Sequence, residues 1–299
     1  MVPIAVQAHL LRRICGRRCA VAIDQTGRFE QIAAQARAAA DQRASRVPLR
    51  RIKEMARLAP GAREARQVLR APGCTVSVIA EVKRSTATFA DLSGCGAPGV
   101  LARFYAAGGA ACVSVVTGPR GAHGSLEDLD DVRAAVEVPV LANDLVVTPY
   151  QVHEARAHGA DLLMLDARLE PLVLQALIDR VHSLGMCAVV KVRTRREALT
   201  TIESGGRIVA ISARDPDTLA VDRARFEQVA EVLPAEVIRI VAGGVRGPHD
   251  VMDFARCGAD VVLVGEAVIR STDPQQFVAE LVAAGAHPSL LHATHREAP

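Results

Sequence analysis

The sequence predicts an α/β fold, a closed (β/α)8 TIM barrel preceded by a helical extension, and three observations carry that prediction. From residue 75 onward a short apolar, β-branched run alternates with an amphipathic helical pattern, at a period of roughly 25 residues. Eight such units occur, the number that closes a barrel of this kind. The runs are apolar on both faces, as strands must be in a parallel sheet covered by helices. An open doubly wound sheet is the competing architecture. It would carry a Gly-rich fingerprint after its first strand, whereas the first strand here runs into EVKRSTATF.

The strands are placed at 75–83, 110–117, 138–144, 160–167, 186–192, 208–212, 238–244 and 260–265. The helices follow at 98–107, 125–135, 149–158, 171–184, 194–204, 222–232, 248–257 and 274–284. Local chemistry marks their starts. Ser125 precedes Glu127 and Asp128, and Thr148 followed by Pro149 reads as an N-cap and a first helical residue that has no N–H to satisfy. Thr194 and Glu197 have capping-box spacing. Gly108, Gly109, Gly159, Gly185 and Gly258 stand at helix ends. Residues 1–70 hold Ala-rich helical stretches at 29–42 and 61–70 and a Pro-bounded piece near 48–58. They are read as a helical extension packed on the barrel, with the barrel over 71–286 and a polar tail over 287–299.

Composition narrows the function classes. A chain of 299 residues that is 50% hydrophobic buries a large core. The Arg clusters at Arg12, Arg13, Arg17, Arg18, Arg50 and Arg51 read as solvated helix faces, because two Tyr and six Phe do not make a base-stacking platform; no nucleic-acid partner is expected. Seven cysteines without a CxxC pair or zinc-ligand spacing fit a reducing cytoplasm, and Cys112 and Cys187 lie within strands as core residues. No apolar stretch reaches 18 residues, so no membrane span is expected, and the opening MVPIAVQAHLLRR does not read as a signal peptide. Monomer and homo-oligomer both stay open.

Lysine is the informative residue. Against 33 arginines stand three lysines, Lys53, Lys83 and Lys191. Lys53 lies in a polar stretch and reads as a surface charge. Lys83 and Lys191 each close an apolar run, VSVIAEVK (76–83) and CAVVKV (187–192). Arginine cannot lose its proton near neutral pH and a buried lysine can, so two lysines at strand ends suggest amine chemistry or a compact cation. In a barrel the C-terminal strand ends face the site. The residues placed there are Glu81, Lys83, Thr117, Asn143, Asp144, Asp166, Lys191, Arg193, Ser212, Arg214, Gly243, Gly244, Gly265 and Glu266. Glu81 and Lys83 share a face by alternation. VAGGVRGPHD (241–250) and VLVGEAVI (262–269) place glycines and helix starts after strands seven and eight, where barrels of this kind cradle phosphate. A phosphorylated small molecule is the expected ligand.

These segments resemble the indole-3-glycerol phosphate synthase family. IAEVKRS (79–85) is similar to the family's I-A-E-[IV]-K-[KR]-x-S-P-S signature, and GGAACVSVVT (108–117) and GSLEDLDDVR (124–133) to its second strand and helix. PVLANDLVVTPYQVHEARAHGAD (139–161) tracks the third strand and helix, and LVGEAVIRSTDP (263–274) the last strand and loop. The likeness covers about 20–285. It implies a cytoplasmic lyase of tryptophan biosynthesis that closes a ring on a carboxyphenylamino-deoxyribulose 5-phosphate, losing CO₂ and then water, without a metal or organic cofactor. A lysine acts as general acid on the ketose oxygen, and glutamates handle proton transfer.

Glu81 and Lys83 stand as in the family; other positions depart from it. The K-D-F motif of strand three reads Asn143-Asp144-Leu145, without the general-acid lysine. V-E-V-H on strand five reads Val190-Lys191-Val192-Arg193, and I-N-N-R on strand six reads Ile211-Ser212-Ala213-Arg214. S-E-S-G-I on strand seven reads Val241-Ala242-Gly243-Gly244-Val245. S-P-S reads Thr86-Ala87-Thr88, and an aromatic before G-S reads His123. A lysine thus vanishes from strand three while another appears on strand five, beside Asp166. Adjacent strands lie about 4.8 Å apart, so Asp166 is expected to pair with Lys191. The reading that follows is a divergent family member with relocated acid–base residues: Glu81, Lys83, Asn143, Asp166 and Lys191 catalytic, and Arg214, Ser212 and His123 on the substrate. Gly243, Gly244, Gly265 and Glu266 hold the phosphate. Two alternatives stay open: a phosphate-ligand-binding pseudoenzyme, and a Schiff-base enzyme using Lys191.

Overall fold

The computed structural model describes residues 27–70, 76–84, 96–118, 124–214 and 220–290. The chain divides into two compact units between Arg46 and Val47. In the first, the described residues form one helix, α1, over residues 27–46. The second opens with α2 (Leu49–Leu58), which buries Ile52 and Ala56 and leaves Arg50, Arg51 and Lys53 exposed. Arg50, Arg51 and Lys53 thus lie on a solvated helix face, as their pattern suggests; Arg12, Arg13, Arg17 and Arg18 lie outside the described residues. Helix α3 is a single turn, Arg66–Leu69.

The barrel follows. Its strands are β1 (Ser77–Val82), β2 (Cys112–Val116), β3 (Val140–Asn143), β4 (Leu162–Asp166), β5 (Cys187–Val192), β6 (Ile208–Ser212), β7 (Ile238–Ala242) and β8 (Val261–Val264). Every neighbouring pair is parallel, and β8 pairs with β1 to close the ring. The helices are α4 (Pro98–Ala107), α5 (Leu126–Ala135), α6 (Pro149–Ala157), α7 (Pro171–Ser183), α8 (Arg195–Glu203), α9 (Arg223–Ala230), α10 (Pro248–Arg256), a short α11 (Glu266–Ile269) and α12 (Pro274–Gly285). The expected boundaries hold to within two residues. The caps hold as well: Ser125 Oγ accepts from the Asp128 N–H, and Thr148 with Gln151 forms a full capping box. Thr194 accepts from the Glu197 N–H. Gly159 and Gly185 end their helices with φ of 84° and 77°, in the region that favours glycine.

Two cores result, one on each face of the sheet, which is why the strands read as continuously apolar. The outer core packs strand residues such as Val113, Leu163 and Val190 against helix residues such as Leu129, Leu177 and Phe254. The inner core fills the barrel with Ile79, Leu141, Leu162, Val189, Ile240 and Val261, and Ala65 and Leu69 cap its lower end. Cys112 is fully buried there, as expected.

The segment before β1 departs from expectation. Residues 61–65 are not helical, and helix occupies only Arg66–Leu69. The backbone N–H of Arg63 is drawn to the Asp161 carboxylate at 2.8 Å instead of to a helical carbonyl. Asp161 is fully buried ahead of β4; it also accepts from the Val140 N–H at 2.9 Å and pairs with Arg133 at 3.0 Å. One carboxylate therefore ties the lower plug, β3 and α5 together. Among the described residues no helix is long and apolar enough to cross a membrane.

Replacing Asp161 by Ala leaves Arg133 without its buried partner and three donors unmet, so it should cost roughly 3–5 kcal/mol. A urea midpoint equal to that of the parent chain would show that the plug is held by other contacts.

Candidate active site

Ring closure brings the C-terminal ends of the strands around one cavity of about 440 Å³. Glu81 and Lys83 of the β1 end point into it, as alternation requires. Glu81 is buried, 5% exposed, so its charge must be met by protein groups. Lys83 Nζ lies 3.0 Å from Oε2, Asn143 Nδ2 donates to Oε1 at 2.8 Å, and Ser114 Oγ donates to Oε1 at 3.2 Å. Burial alone would raise the carboxyl's pKa. The Lys83 charge, the hydrogen bonds from Lys83 and Asn143 and the more distant Lys191 outweigh it and hold Glu81 below its ordinary value. Gly265 makes room for this pair, since a Cβ there would fall 2.7 Å from Lys83 Nζ and 2.8 Å from Glu81 Oε2.

The neighbouring sector corrects one expectation. Asp166 and Lys191 are register partners across β4 and β5, yet they form no ion pair. Arg193 takes Asp166 with two hydrogen bonds, at 3.0 and 2.9 Å, and Arg168 takes it with two more, at 3.0 and 2.8 Å. The planar guanidinium fork matches both carboxylate oxygens at once and an ammonium cannot, so the arginines win. Burial raises the Asp166 pKa, but the hydrogen bonds and charges of Arg168 and Arg193 drive it well below the ordinary aspartate range. Asp166 does not line the cavity; Arg168, Lys191 and Arg193 do.

Lys191 is left with no hydrogen bond or ion pair to any described residue. Burial lowers its pKa first and the Arg193 charge adds to that. Asp166 and Glu81 oppose, Arg168 assists, and the net shift is downward.

The remaining wall holds the expected phosphate residues. Gly243 and Gly244 take φ of 87° and 94°, and both line the cavity with Ser212, Arg214, Gly265 and Glu266. Arg214 Nη1 lies 3.6 Å from Glu266 Oε2, a loose pair, and its buried Nε has no hydrogen-bond partner among the described residues. Ser212 Oγ donates to the Arg214 carbonyl at 3.3 Å.

The structure thus gathers Glu81, Lys83, Asn143, Lys191, Ser212, Arg214, Gly243, Gly244, Gly265 and Glu266 around one cavity, and holds Asp166 behind it. His123 and Thr86–Thr88 lie outside the described residues. The sequence reading missed Arg168, Ser114 and Met164. Ser114 was findable, because it is in register with Glu81 on β2. Arg168 lies in the turn after β4, where no periodicity points to a direction.

A closed (β/α)8 barrel with its charged groups gathered at the strand C-termini is the layout of a barrel enzyme. The chain belongs to the indole-3-glycerol phosphate synthase family, a family of lyases, whose profile matches residues 29–281. It is 51% identical to an indole-3-glycerol phosphate synthase of Beutenbergia cavernae over 268 residues, covering 89% of this chain and 99% of that one. It is 50% identical to the enzyme of the same description from Mycobacterium leprae, covering 81% and 89% of the two chains. Among solved structures, a thiamine phosphate pyrophosphorylase from Pyrococcus furiosus aligns with a TM-score of 0.56 at 14% identity, over 73% of this chain and 98% of that one. A 3-hexulose-6-phosphate synthase aligns with a TM-score of 0.56 at 18% identity, over 70% and 99%. These two share the fold.

Two outcomes follow from the geometry. Gly265→Ala should push Lys83 from Glu81 and weaken binding of a phosphorylated ligand about tenfold or more with the fold intact by circular dichroism; unchanged affinity would mean that the pair tolerates displacement. The second concerns pH. The folded-state pKa of Asp166 is depressed, so its stabilising contribution is complete above the ordinary aspartate value of about 3.9 and is lost as pH falls below it. The stability difference between the parent chain and Asp166→Asn should therefore be largest at neutral pH and shrink steadily below about pH 4. A difference independent of pH would contradict the clamp.

Proposed function

We propose that this chain is a divergent indole-3-glycerol phosphate synthase-like lyase with relocated acid–base residues, acting on a phosphorylated, sugar-derived substrate of the carboxyphenylamino-deoxyribulose phosphate type. The observation that carries the proposal is Lys191, an amine at the cavity wall with no protein partner among the described residues, in the same cavity as the intact Glu81–Lys83 pair.

In this reading the phosphate sits against the backbone N–H groups of Gly243, Gly244, Gly265 and Glu266, with Arg214 closing on it. Ser212 and His123 contact the rest of the substrate. Asn143 cannot give up a proton as the family's strand-three lysine does; its amide orients Glu81. Lys191 supplies the acid instead and protonates the ketose oxygen as the ring closes. A lysine whose pKa lies below the ordinary value is a better match to neutral pH, because a general acid works best near the operating pH. Glu81, held ionised, accepts the ring proton. Asp166 acts at one remove, by fixing Arg168 and Arg193 beside the amine. Relatives about half identical over most of the chain support the substrate class.

The test is turnover of the family substrate, followed by indole absorbance and CO₂ release, with binding measured on the same samples. Indole formation that falls by about 10²–10⁴-fold in Lys191→Ala, while binding persists, is the expected result. Binding without any turnover in the parent chain would overturn the proposal and leave a ligand-binding protein built on the same cradle.

A further inference from the structure

Three amines besides the chain terminus are present in the whole molecule, and the fold treats each differently. Lys53 is exposed on α2. Lys83 is held 3.0 Å from the buried Glu81 carboxylate. Its Nζ is thereby engaged by that carboxylate. Lys191 lines the same cavity, and no carboxylate lies within ion-pair distance among the described residues. Its register partner Asp166, the anion that would have kept it charged, is fully engaged by Arg168 and Arg193.

We infer that Lys191 is a covalent amine nucleophile, whose Nζ condenses with the carbonyl carbon of a phosphorylated ketose held in the cavity. The inference rests on the phosphorylated-ketose reading given above and replaces, at that same site, the acid role given there to Lys191 with a covalent one. The step balances without an added oxidant or reductant. The neutral Nζ adds to the carbonyl carbon, forming the C–N bond while the C=O π pair moves to oxygen. That oxygen takes a proton from Lys83, which lines the cavity from the β1 side of the ring, across from β5, and the cationic nitrogen returns one proton to it, giving a neutral carbinolamine. Loss of the hydroxyl as water, carrying the second proton from Nζ, leaves the imine. An iminium withdraws electrons from the adjacent carbons as a protonated carbonyl does.

The surroundings favour the neutral amine this step needs. Burial and the charges of Arg193 and Arg168 act against protonation, while Asp166 and Glu81 act for it, and the first group prevails. An amine on the wall of a cationic cavity is positioned where an anionic sugar phosphate is drawn in.

The scarcity of lysine makes the test clean. The parent chain and Lys191→Arg are incubated with ribulose 5-phosphate and sodium cyanoborohydride, and adducts are mapped by intact-mass and peptide spectrometry. The expected result is one adduct per chain on Lys191, reduced by competing inorganic phosphate. It should be lost by about tenfold or more in Lys191→Arg, whose guanidinium cannot form the imine. No adduct, or equal labelling of Lys53, Lys83 and Lys191, overturns the inference. Turnover assays on the same preparations separate the two claims. Indole formation that depends on Lys191 without any adduct leaves Lys191 as a plain acid and refutes the covalent step. An adduct without indole formation upholds the covalent step and refutes the synthase-like reaction.

Discussion

The site is organised by the need to neutralise one buried carboxylate. Glu81 sits almost wholly out of water at the end of β1, and a carboxylate there without partners would be protonated or would destabilise the barrel by several kcal/mol. Lys83, Asn143 and Ser114 meet that need from three adjacent strands. Gly265, on the other side of β1, has no side chain because the pair fills the space one would occupy. Lys83 is thereby committed to Glu81. Whatever chemistry requires an uncommitted amine falls to Lys191.

A second carboxylate decides how free that amine is. Asp166 is the neighbour that strand register gives to Lys191, yet its oxygens are taken by two guanidinium groups. The choice follows from geometry. An arginine presents two parallel N–H groups to the two oxygens of a carboxylate, and an ammonium presents a point charge. The cost of the arrangement falls on Lys191, which is left beside two cations in a partly desolvated wall. The overwhelming use of arginine in this chain thus has a local consequence, because it leaves the rare lysine without a partner among the described residues where lysine chemistry is available.

Much of the fold was legible. Apolar runs buried on both faces at a regular period specify parallel strands, and their count specifies closure; Thr148, Pro149 and Gly159 mark a helix start and end by local chemistry alone. The same alternation placed Glu81 and Lys83 on one wall, and strand order placed Gly243, Gly244 and Gly265 at the ends of β7 and β8, beside it. What the sequence could not supply was side-chain choice between neighbours. Asp166 and Lys191 were rightly placed side by side, but which cation reaches the carboxylate depends on the turn that carries Arg168 and on the rotamer of Arg193. Neither has a periodic signature. The stretch at 61–65 shows the same limit: its Ala-rich composition favours helix, and the long-range pull of Asp161 on the Arg63 N–H overrides it.

The central claim is that Lys191 is an amine without a partner among the described residues, whose affinity for protons the fold has reduced. With three lysines in the chain, selective ¹⁵N labelling of lysine gives a spectrum simple enough to assign by substitution, and the signal removed by Lys191→Arg can be followed through a pH titration. The account predicts that this signal titrates below the ordinary lysine value of about 10.4. A midpoint at or above that value would mean that Lys191 is held as a charged ion-pair partner, and the account of the site would be wrong.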